Sequence, residues 1–268
     1  MHIAVFVKQV PDTSEIQIDR TTNRLIRDGV PSILNPFDCF AVETALRLKE
    51  KHGGTITVIT MGPKQAVSVL KKCCALGFDN AYLLNDIAFA GSDTYSTGYI
   101  LSTALTEIEK IHGKADLILV GKQAIDGDTA QVGPQIAEKL EIPQVSYVAD
   151  IKKDGDTITV KRMLEDGYMT VQVQTPCLLT CIKELNTPRY MSIRGILDCD
   201  KEPVTVLDYN ALKDDPLIEV DTIGLKGSPT NIYKSFTPPR KGSGMMLEGS
   251  GKETVEQLFG ILTTKHII

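Results

Sequence analysis

The segment whose residue types are best suited to bind a ligand is the loop at residues 121–135. It follows an apolar, strand-like run and leads into a helix-like one. In an open parallel sheet, ligands bind at the carboxyl ends of the strands, where free N–H groups of a helix N-terminus attract anions. Gly127 and Gly133 allow the backbone to approach a ligand closely, and Thr129 and Gln131 add neutral donors. These features are typical of a diphosphate site.

Two acidic residues of the same loop complicate this interpretation, because carboxylates repel phosphates. Asp126 and Asp128 would have to cap the following helix or accept hydrogen bonds from ribose hydroxyls, while main-chain N–H groups hold the anion. Without a ligand, the same residues would form a turn with two capping aspartates. On physical grounds alone both interpretations stay open.

A second candidate lies at residues 90–97, just before a helix-like run, with Thr94 and Thr97 one turn apart on one face. It weakly resembles the glycine-serine loop of ATP pyrophosphatases, but it lacks that loop's second glycine and final serine. A simple helix N-cap is the preferred interpretation of this segment.

No catalytic side chain and no metal site are expected. The four histidines fall in separate elements, and the sequence contains no nucleophile-elbow, zinc-protease or Walker motif. The six cysteines include no Cys-x-x-Cys pair, so we expect reduced, structural thiols; those at positions 73, 74, 177 and 181 lie in apolar runs typical of a core. Any redox chemistry would come from a cofactor.

Composition narrows the class of protein. The chain has 268 residues with a formal net charge of -5 and a pI near 5.5, which argues against nucleic acid as a partner. The apolar run at the amino terminus is too short for a signal peptide or a membrane span, and no later run approaches spanning length. We therefore expect a cytoplasmic protein.

The elements that must position these loops alternate between strand and helix. Hydrophobic periodicity predicts strands at 2–7, 55–60, 81–84 and 116–120, and helices at 38–52, 65–76, 94–112 and 129–140. Further strands are predicted at 145–151, 157–160, 169–174 and 177–182, where the second half of the domain looks antiparallel. The expected fold class is α/β: a Rossmann-like, doubly wound, mostly parallel sheet with an antiparallel extension.

Local signals mark the boundaries between segments. Asn35 is predicted to be the N-cap of the first helix with Pro36 at its first position, and residues 15–26 suggest a small hairpin. Prolines interrupt every run after residue 186, which predicts an extended arm. Residues 237–251 have linker character, and a final helix carries an apolar stripe that packs on its own domain or on a partner.

Together these segments resemble the beta (small) subunits of electron-transferring flavoproteins. The resemblance runs from the first strand to about residue 197 and weakens in the tail. It is carried by five motifs in the same order, at residues 7–12, 35–50, 60–63, 121–135 and 186–190. Five separate motifs in order are very specific.

The resemblance implies the residues that hold an adenine nucleotide. They lie on the first strand, in the Asn-Pro-Phe segment, before the Gly-Pro turn, before the 94–112 helix and in the long loop: Phe6, Asn35, Pro36, Phe37, Asp38, Met61, Asp93, Thr94, Thr97, Ala124, Asp126, Gly127, Asp128, Thr129, Ala130, Gln131, Val132, Gly133, Pro134 and Gln135.

Members of this family hold either AMP, as a structural plug, or a second FAD. The sequence at residues 126–134 and at 91–94 resembles the type that holds FAD. In that type NADH donates a hydride, one electron goes to ferredoxin or flavodoxin, and the other passes through the alpha-subunit FAD to a dehydrogenase such as acyl-CoA or lactate dehydrogenase. The AMP type, and an unrelated ATP-binding α/β protein, are the alternatives.

The resemblance also implies two partner surfaces. Residues 186–197 align with the family's recognition loop for the dehydrogenase, with Tyr190, Met191 and Ile193 as apolar anchors and Arg189 and Arg194 for polar contacts; alternatively, they pack under the arm. The tail helix resembles the element that lies against the alpha subunit. The expected divisions are a nucleotide-binding domain at 1–185, a recognition loop and arm at 186–236, and a linker and docking helix at 237–268.

Overall fold

The computed structural model describes residues 1–12, 31–215, 218–230, 233, 242 and 244–268. The chain divides into two units, Met1–Tyr233 and Lys234–Ile268. The hairpin predicted at 15–26 lies outside the described residues. Gln9–Pro11 pairs antiparallel with Ser32–Leu34.

The first unit is built on a large sheet. The strands of this unit are β1 (His2–Phe6), β2 (Gln9–Pro11), β3 (Ser32–Leu34), β4 (Thr55–Met61), β5 (Asn80–Leu84), β6 (Leu117–Gly121), β7 (Gln144–Asp154), β8 (Thr157–Met163), β9 (Tyr168–Gln174), β10 (Cys177–Cys181) and β11 (Val204–Leu207). Among the described residues, nine of them form one sheet in the order β11-β5-β4-β1-β6-β10-β7-β8-β9. Neighbours from β11 to β7 are parallel, and β8 and β9 add an antiparallel extension.

Helices cover both faces of this sheet. They are α1 (Pro36–His52), α2 (Val67–Leu76), α3 (Thr94–His112) and α4 (Val132–Lys139). Side chains of β1 alternate between two cores: Ile3 and Val5 pack with residues of α1 and α2, whereas Ala4 and Phe6 pack with residues of α3 and α4. The predicted doubly wound, mostly parallel α/β fold is confirmed.

One strand lies where the sequence did not place it. The predicted antiparallel second half holds for β7 to β9 but is wrong for β10, which runs parallel between β6 and β7. All five residues of β10 are buried. A continuous apolar run is typical of a parallel strand that is covered on both faces, and this accounts for its place in the sheet.

The helix after the 121–131 loop begins later than predicted. The sequence indicated a start at residue 129, but α4 begins at Val132. Asp128 and Ala130 have φ angles of 50° and 53°, which a right-handed helix cannot contain. Residues 129–131 therefore belong to the loop.

The stretch after residue 186 is more ordered than a plain arm. It contains α5 (Ile193–Asp198), the edge strand β11, which pairs with β5, and α6 (Tyr209–Leu212). The second unit contains α7 (Gly251–Thr264), whose N-terminus has a capping box between Ser250 and Glu253. Val255, Leu258 and Phe259 of its apolar stripe are exposed.

Two further expectations concern cysteines and membranes. Cys73, Cys177 and Cys181 are buried and Cys74 is half-buried, and all six cysteines are free. Burial raises the pKa of Cys177 to about 11 and that of Cys181 to about 12, so both stay as thiols. Within the ranges that the structure describes, no helix combines the length and the apolar character needed to cross a membrane.

Candidate functional site

A cavity of about 850 Å³ opens at the carboxyl ends of four neighbouring parallel strands. Phe6, Met61, Leu84 and Val120 lie at or next to the ends of β1, β4, β5 and β6 and line it. Phe89, Leu101 and Ile136 extend this apolar floor. The volume is in the upper part of the range, about 300–1,000 Å³, that is usual for small-molecule sites.

The polar wall of the cavity comes from the loop between β6 and α4. Asn35, fully buried at the start of α1, holds this loop: its Nδ2 donates to the Gln123 carbonyl (2.8 Å), and its Oδ1 accepts from the Ile125 N–H (3.2 Å). Asn35 occupies the predicted N-cap position, but its side chain makes no cap hydrogen bond. It connects α1 to the loop instead.

Asp38 is a buried carboxyl group at the edge of the cavity. Its oxygens accept from the Lys8 N–H (2.7 Å) and from Asn35 Nδ2 (2.9 Å). Burial raises the pKa of Asp38 to about 7, against the opposing effect of these hydrogen bonds and of the Lys8 charge. A Cβ at residue 121 would overlap this carboxyl group, which explains the glycine there.

The two loop aspartates make contacts that leave the helix start open. Asp126 forms an ion pair with Lys8, whose Nζ lies 2.7 Å and 2.8 Å from its two oxygens. Asp128 accepts from Gln123 Nε2 (2.7 Å). Within the described part of the chain, no side chain caps α4 at its N-cap, Gln131. The contacts with Lys8 and Gln123 do not cap α4, and the ribose role of the two aspartates stays a prediction.

The uncapped start of α4 is the feature that fits an anion. The first N–H groups of a helix have no partner within the helix, and the helix dipole adds positive potential there. Val132 and Gly133 line the cavity at this point. A cavity with an apolar floor and an open helix N-terminus fits a nucleotide with a diphosphate.

Gly127 in the loop and Gly133 in the first turn of α4 have different surroundings. A Cβ at Gly127 would meet no atom within 4 Å, whereas one at Gly133 would lie 2.7 Å from Val120 Cγ2 and 3.2 Å from Thr180 Cγ2. Gly133 therefore allows α4 to pack closely on β6 and β10. Gly127 has open space at its Cα, next to the cavity.

The second candidate segment is confirmed as a helix N-cap. Asp93 Oδ1 accepts from the Ser96 N–H (3.0 Å) at the start of α3. Thr94 and Thr97 line the cavity, and Thr94 Oγ1 donates to Gln131 Oε1 (3.4 Å). This hydrogen bond connects the first turn of α3 to the residue before α4.

The structure brings most of the predicted nucleotide-site residues to one cavity. Those lining it are Phe6, Asp38, Met61, Asp93, Thr94, Thr97, Ala124, Gly127, Thr129, Ala130, Gln131, Val132 and Gly133. Those not lining it are Asn35, Pro36, Phe37, Asp126, Asp128, Pro134 and Gln135.

Sequence reasoning missed two lysines of the cavity wall. Lys8 lies two residues after the end of β1. Lys122 directly follows β6, and its Nζ lies 5.9 Å from the centroid of the Phe37 ring and 5.6 Å from that of Tyr147. Their position after parallel strands was the available signal, because the carboxyl ends of such strands meet at one edge.

The predicted recognition segment is held firmly at its start. The Arg189 guanidinium contacts Glu50 and, at 2.8 Å, the buried Glu43 on α1. Burial alone would raise the pKa of Glu43, but hydrogen bonds from Arg189 and Arg47 hold it below its usual range. Arg189 is thus already engaged within the chain, and its contact with a partner stays a prediction.

The residues that follow Arg189 are exposed. Tyr190 is 98% and Ile193 80% exposed, Met191 is 38% exposed, and the Arg194 side chain is 93% exposed with Asp198 3.5 Å from its Nε. Ile196 and Leu197 of α5 extend the same exposed apolar set. Tyr190 and Ile193 are thus not packed under the described part of the arm, and their contact with a partner stays a prediction.

The chain has a doubly wound α/β fold with a cavity at the carboxyl ends of its parallel strands, and comparison with known proteins gives its family. The profile described as "Electron transfer flavoprotein domain" matches residues 22–212. The chain belongs to the electron transfer flavoprotein family.

Full-length relatives support the beta-subunit resemblance. The acryloyl-CoA reductase electron transfer subunit gamma of Anaerotignum propionicum is 55% identical over 269 residues. The electron transfer flavoprotein subunit beta of Thermoanaerobacterium thermosaccharolyticum is 50% identical over 269 residues, and subunit CarD of the caffeyl-CoA reductase-Etf complex of Acetobacterium woodii is 49% identical over 270. Each match covers 100% of both chains.

Proposed function

We propose that this chain is the electron transfer flavoprotein beta subunit of an electron-bifurcating complex and that it holds FAD in the 850 Å³ cavity. The observation that carries the proposal is the uncapped start of α4 beside that cavity. Membership of the family excludes the unrelated ATP-binding protein as an alternative.

The residues of this chain would bind and shield the cofactor. Main-chain N–H groups in the stretch from Gly127 to Gly133 would bind the diphosphate. Those of Val132 and Gly133 belong to the first turn of α4, a helix N-terminus that favours anions. The apolar floor would exclude water from the bound molecule. Lys8 would neutralise Asp126, so that this buried carboxylate repels the diphosphate less.

Two observations favour FAD over AMP. AMP is one half of FAD, and a cavity in the upper part of the usual range of volumes suits the whole dinucleotide. Asp93, Thr94 and Thr97, at the start of α3, also line the cavity and provide a second set of polar residues beside the 121–131 loop. AMP would need only one of the two sets.

A bound FAD would accept a hydride from NADH and pass on the two electrons of that hydride, one to ferredoxin or flavodoxin and one to the alpha-subunit FAD. No side chain of this chain has to act as acid or base in that transfer. The second electron would pass to a partner dehydrogenase. Two relatives are named for reductases of CoA esters, which favours a CoA-ester partner over lactate dehydrogenase.

Two surfaces would contact partners. Tyr190, Met191 and Ile193 would bind the dehydrogenase, with Arg194 at the rim. The exposed stripe of α7 would dock on the alpha subunit, in keeping with the division at 237–268. The free cysteines suit the reducing cytoplasm in which we place the complex.

The test is a count of nucleotides. The heterodimer with its alpha subunit is purified without added nucleotide and denatured, and the released nucleotides are separated by chromatography. We expect two FAD per heterodimer and bleaching of flavin absorbance on anaerobic addition of NADH. One FAD together with one AMP would contradict the proposal and assign the chain to the AMP type.

A further inference from the structure

Residues 218–230, which we call the seam segment, support one wall of the cavity although they are distant in sequence from the residues that line it. The seam segment lies against residues 88–96, which contain the cavity-lining start of α3. The Leu225 N–H donates to the Ala90 carbonyl (3.1 Å), and the Gly224 N–H donates to Ser92 Oγ (3.1 Å). Hydrogen bonds from the main chain of the seam segment therefore fix one segment to the other.

Close packing reinforces these hydrogen bonds. Gly224 has a φ of 64°, and a Cβ there would overlap the Ala88 carbonyl. A Cβ at Gly91, whose φ is 78°, would lie 3.1 Å from Leu225 Cβ. The two segments can approach this closely only because glycine occupies both positions.

Ser228 is the central polar residue of the contact. Its hydroxyl accepts from the Asp93 N–H (2.8 Å) and donates to the Gly224 carbonyl (2.7 Å), and its side chain is 5% exposed. Ser228 does not line the cavity, but Asp93 does. The hydroxyl thus acts on the cavity only through a neighbour.

Asp93 makes a second contact with the same segment. While its Oδ1 caps α3 through the Ser96 N–H, its Oδ2 accepts from the Thr230 N–H (2.9 Å). Both carboxylate oxygens are therefore used by N–H groups of the protein. This places Asp93 as the connection between the seam segment and the first turn of α3.

We infer that Ser228 is a positioning residue for the nucleotide cavity. Through Asp93 it fixes the first turn of α3, and that turn presents Thr94 and Thr97 to the bound molecule. The inference rests on the proposed function, since FAD is the molecule positioned. The inference gives the seam segment a role in cofactor binding in addition to its packing against residues 88–96.

The test compares two serine variants in the complete heterodimer. Ser228→Ala removes the central hydroxyl, and Ser102→Ala is the matched control, because Ser102 is equally buried in α3 but donates only to the Tyr99 carbonyl within its own helix. The dissociation constant of FAD is measured by equilibrium dialysis of the flavin-depleted complex. Visible circular dichroism of the bound flavin reports its orientation.

We expect Ser228→Ala to weaken FAD binding about three- to tenfold, the effect of one lost hydrogen bond, and to change the flavin dichroism. Ser102→Ala should bind FAD like the wild type even if both variants lose the same thermal stability. Wild-type affinity and dichroism in Ser228→Ala would overturn the inference. A wild-type complex that contains one FAD and one AMP would instead overturn the proposed function.

If Ser228→Ala does not fold, amide hydrogen exchange on the wild-type complex tests the same inference. Adding FAD should slow amide exchange in residues 218–230 together with residues 90–97, and leave α2, on the other face of the sheet, unchanged. Protection of 90–97 without any protection of 218–230 would contradict the inference.

Discussion

Lys8 and Asp126, which are 118 residues apart in sequence, form an ion pair that joins the end of β1 to the 121–131 loop. The Asp126 side chain is 5% exposed and that of Lys8 44%. The pair places a neutralised carboxylate where a bare one would repel a diphosphate. We therefore expect the two partners to affect FAD binding in opposite directions.

The first prediction uses this opposition. Lys8→Met removes the positive charge next to Asp126 and should weaken FAD binding, whereas Asp126→Asn keeps the Lys8 charge and should maintain or strengthen it. Because Lys8 is half exposed, we expect a loss of roughly 1 kcal/mol, reduced by salt. Titration with FAD at two ionic strengths measures it.

The Lys49–Asp79 ion pair provides the control, since neither residue lines the cavity. Lys49→Met should leave FAD binding unchanged. Equal losses of affinity in Lys8→Met and Asp126→Asn would show that the pair acts only as a support of the loop.

The second prediction contrasts Gly133, which affects stability, with Gly127, which affects FAD binding. Gly133→Ala should destabilise the fold by roughly 1–3 kcal/mol through overpacking against Val120. Gly127→Ala has open space and should leave the thermal midpoint unchanged, but its methyl group should crowd a diphosphate held on the neighbouring N–H groups. Scanning calorimetry and flavin counts distinguish the two effects. Normal FAD content in Gly127→Ala would argue against this mode of binding.

The third prediction concerns pH. The pKa of Asp38 rises from 3.8 to about 7 on folding, so between these values the folded protein keeps a proton that the unfolded chain releases. The contribution of Asp38 to stability is therefore greatest at low pH and falls as pH rises toward 7. Asp38→Asn should lower stability overall, because an amide N–H would face the Lys8 N–H, but should abolish this pH dependence.

Thermal midpoints of the complex at constant ionic strength, from pH 5 to pH 8, measure the difference between wild type and Asp38→Asn. Asp150→Asn, at an exposed position of β7, is the control and should follow the wild-type profile. Parallel profiles for wild type and Asp38→Asn would mean that Asp38 is ionised throughout.

The fourth prediction tests the surface for the dehydrogenase. Ile193→Ala should raise the KM of the dehydrogenase for this protein about tenfold, as is usual for an apolar anchor worth 1–2 kcal/mol, with kcat and flavin content unchanged. Ile111→Ala is the control, because Ile111 is similarly exposed, at the end of α3. An equal KM for both variants would place the dehydrogenase elsewhere.

Much of the fold was readable from the sequence because its signals are local. The Asn35-Pro36 start of α1, the apolar runs of β1 and β6, and the position of the 121–135 loop after a strand depend on neighbours within one or two turns. These signals also led to the cavity, since parallel strands bring their carboxyl ends to one edge.

What the sequence did not reveal depends on distant partners. The place of β10 between β6 and β7 follows from pairing across the sheet, and Asn35 bonds to Gln123, 88 residues away. The late start of α4 follows from the positive φ of Ala130, which its residue type does not indicate. Spacing alone could not show which carboxylates of the loop are paired.

The most direct test of the account is an experimental structure of the heterodimer with its native nucleotides. We expect the diphosphate of an FAD to lie within hydrogen-bond distance of main-chain N–H groups between Gly127 and Gly133, at the start of α4. A nucleotide bound elsewhere, or this stretch facing away from any nucleotide, would contradict the account.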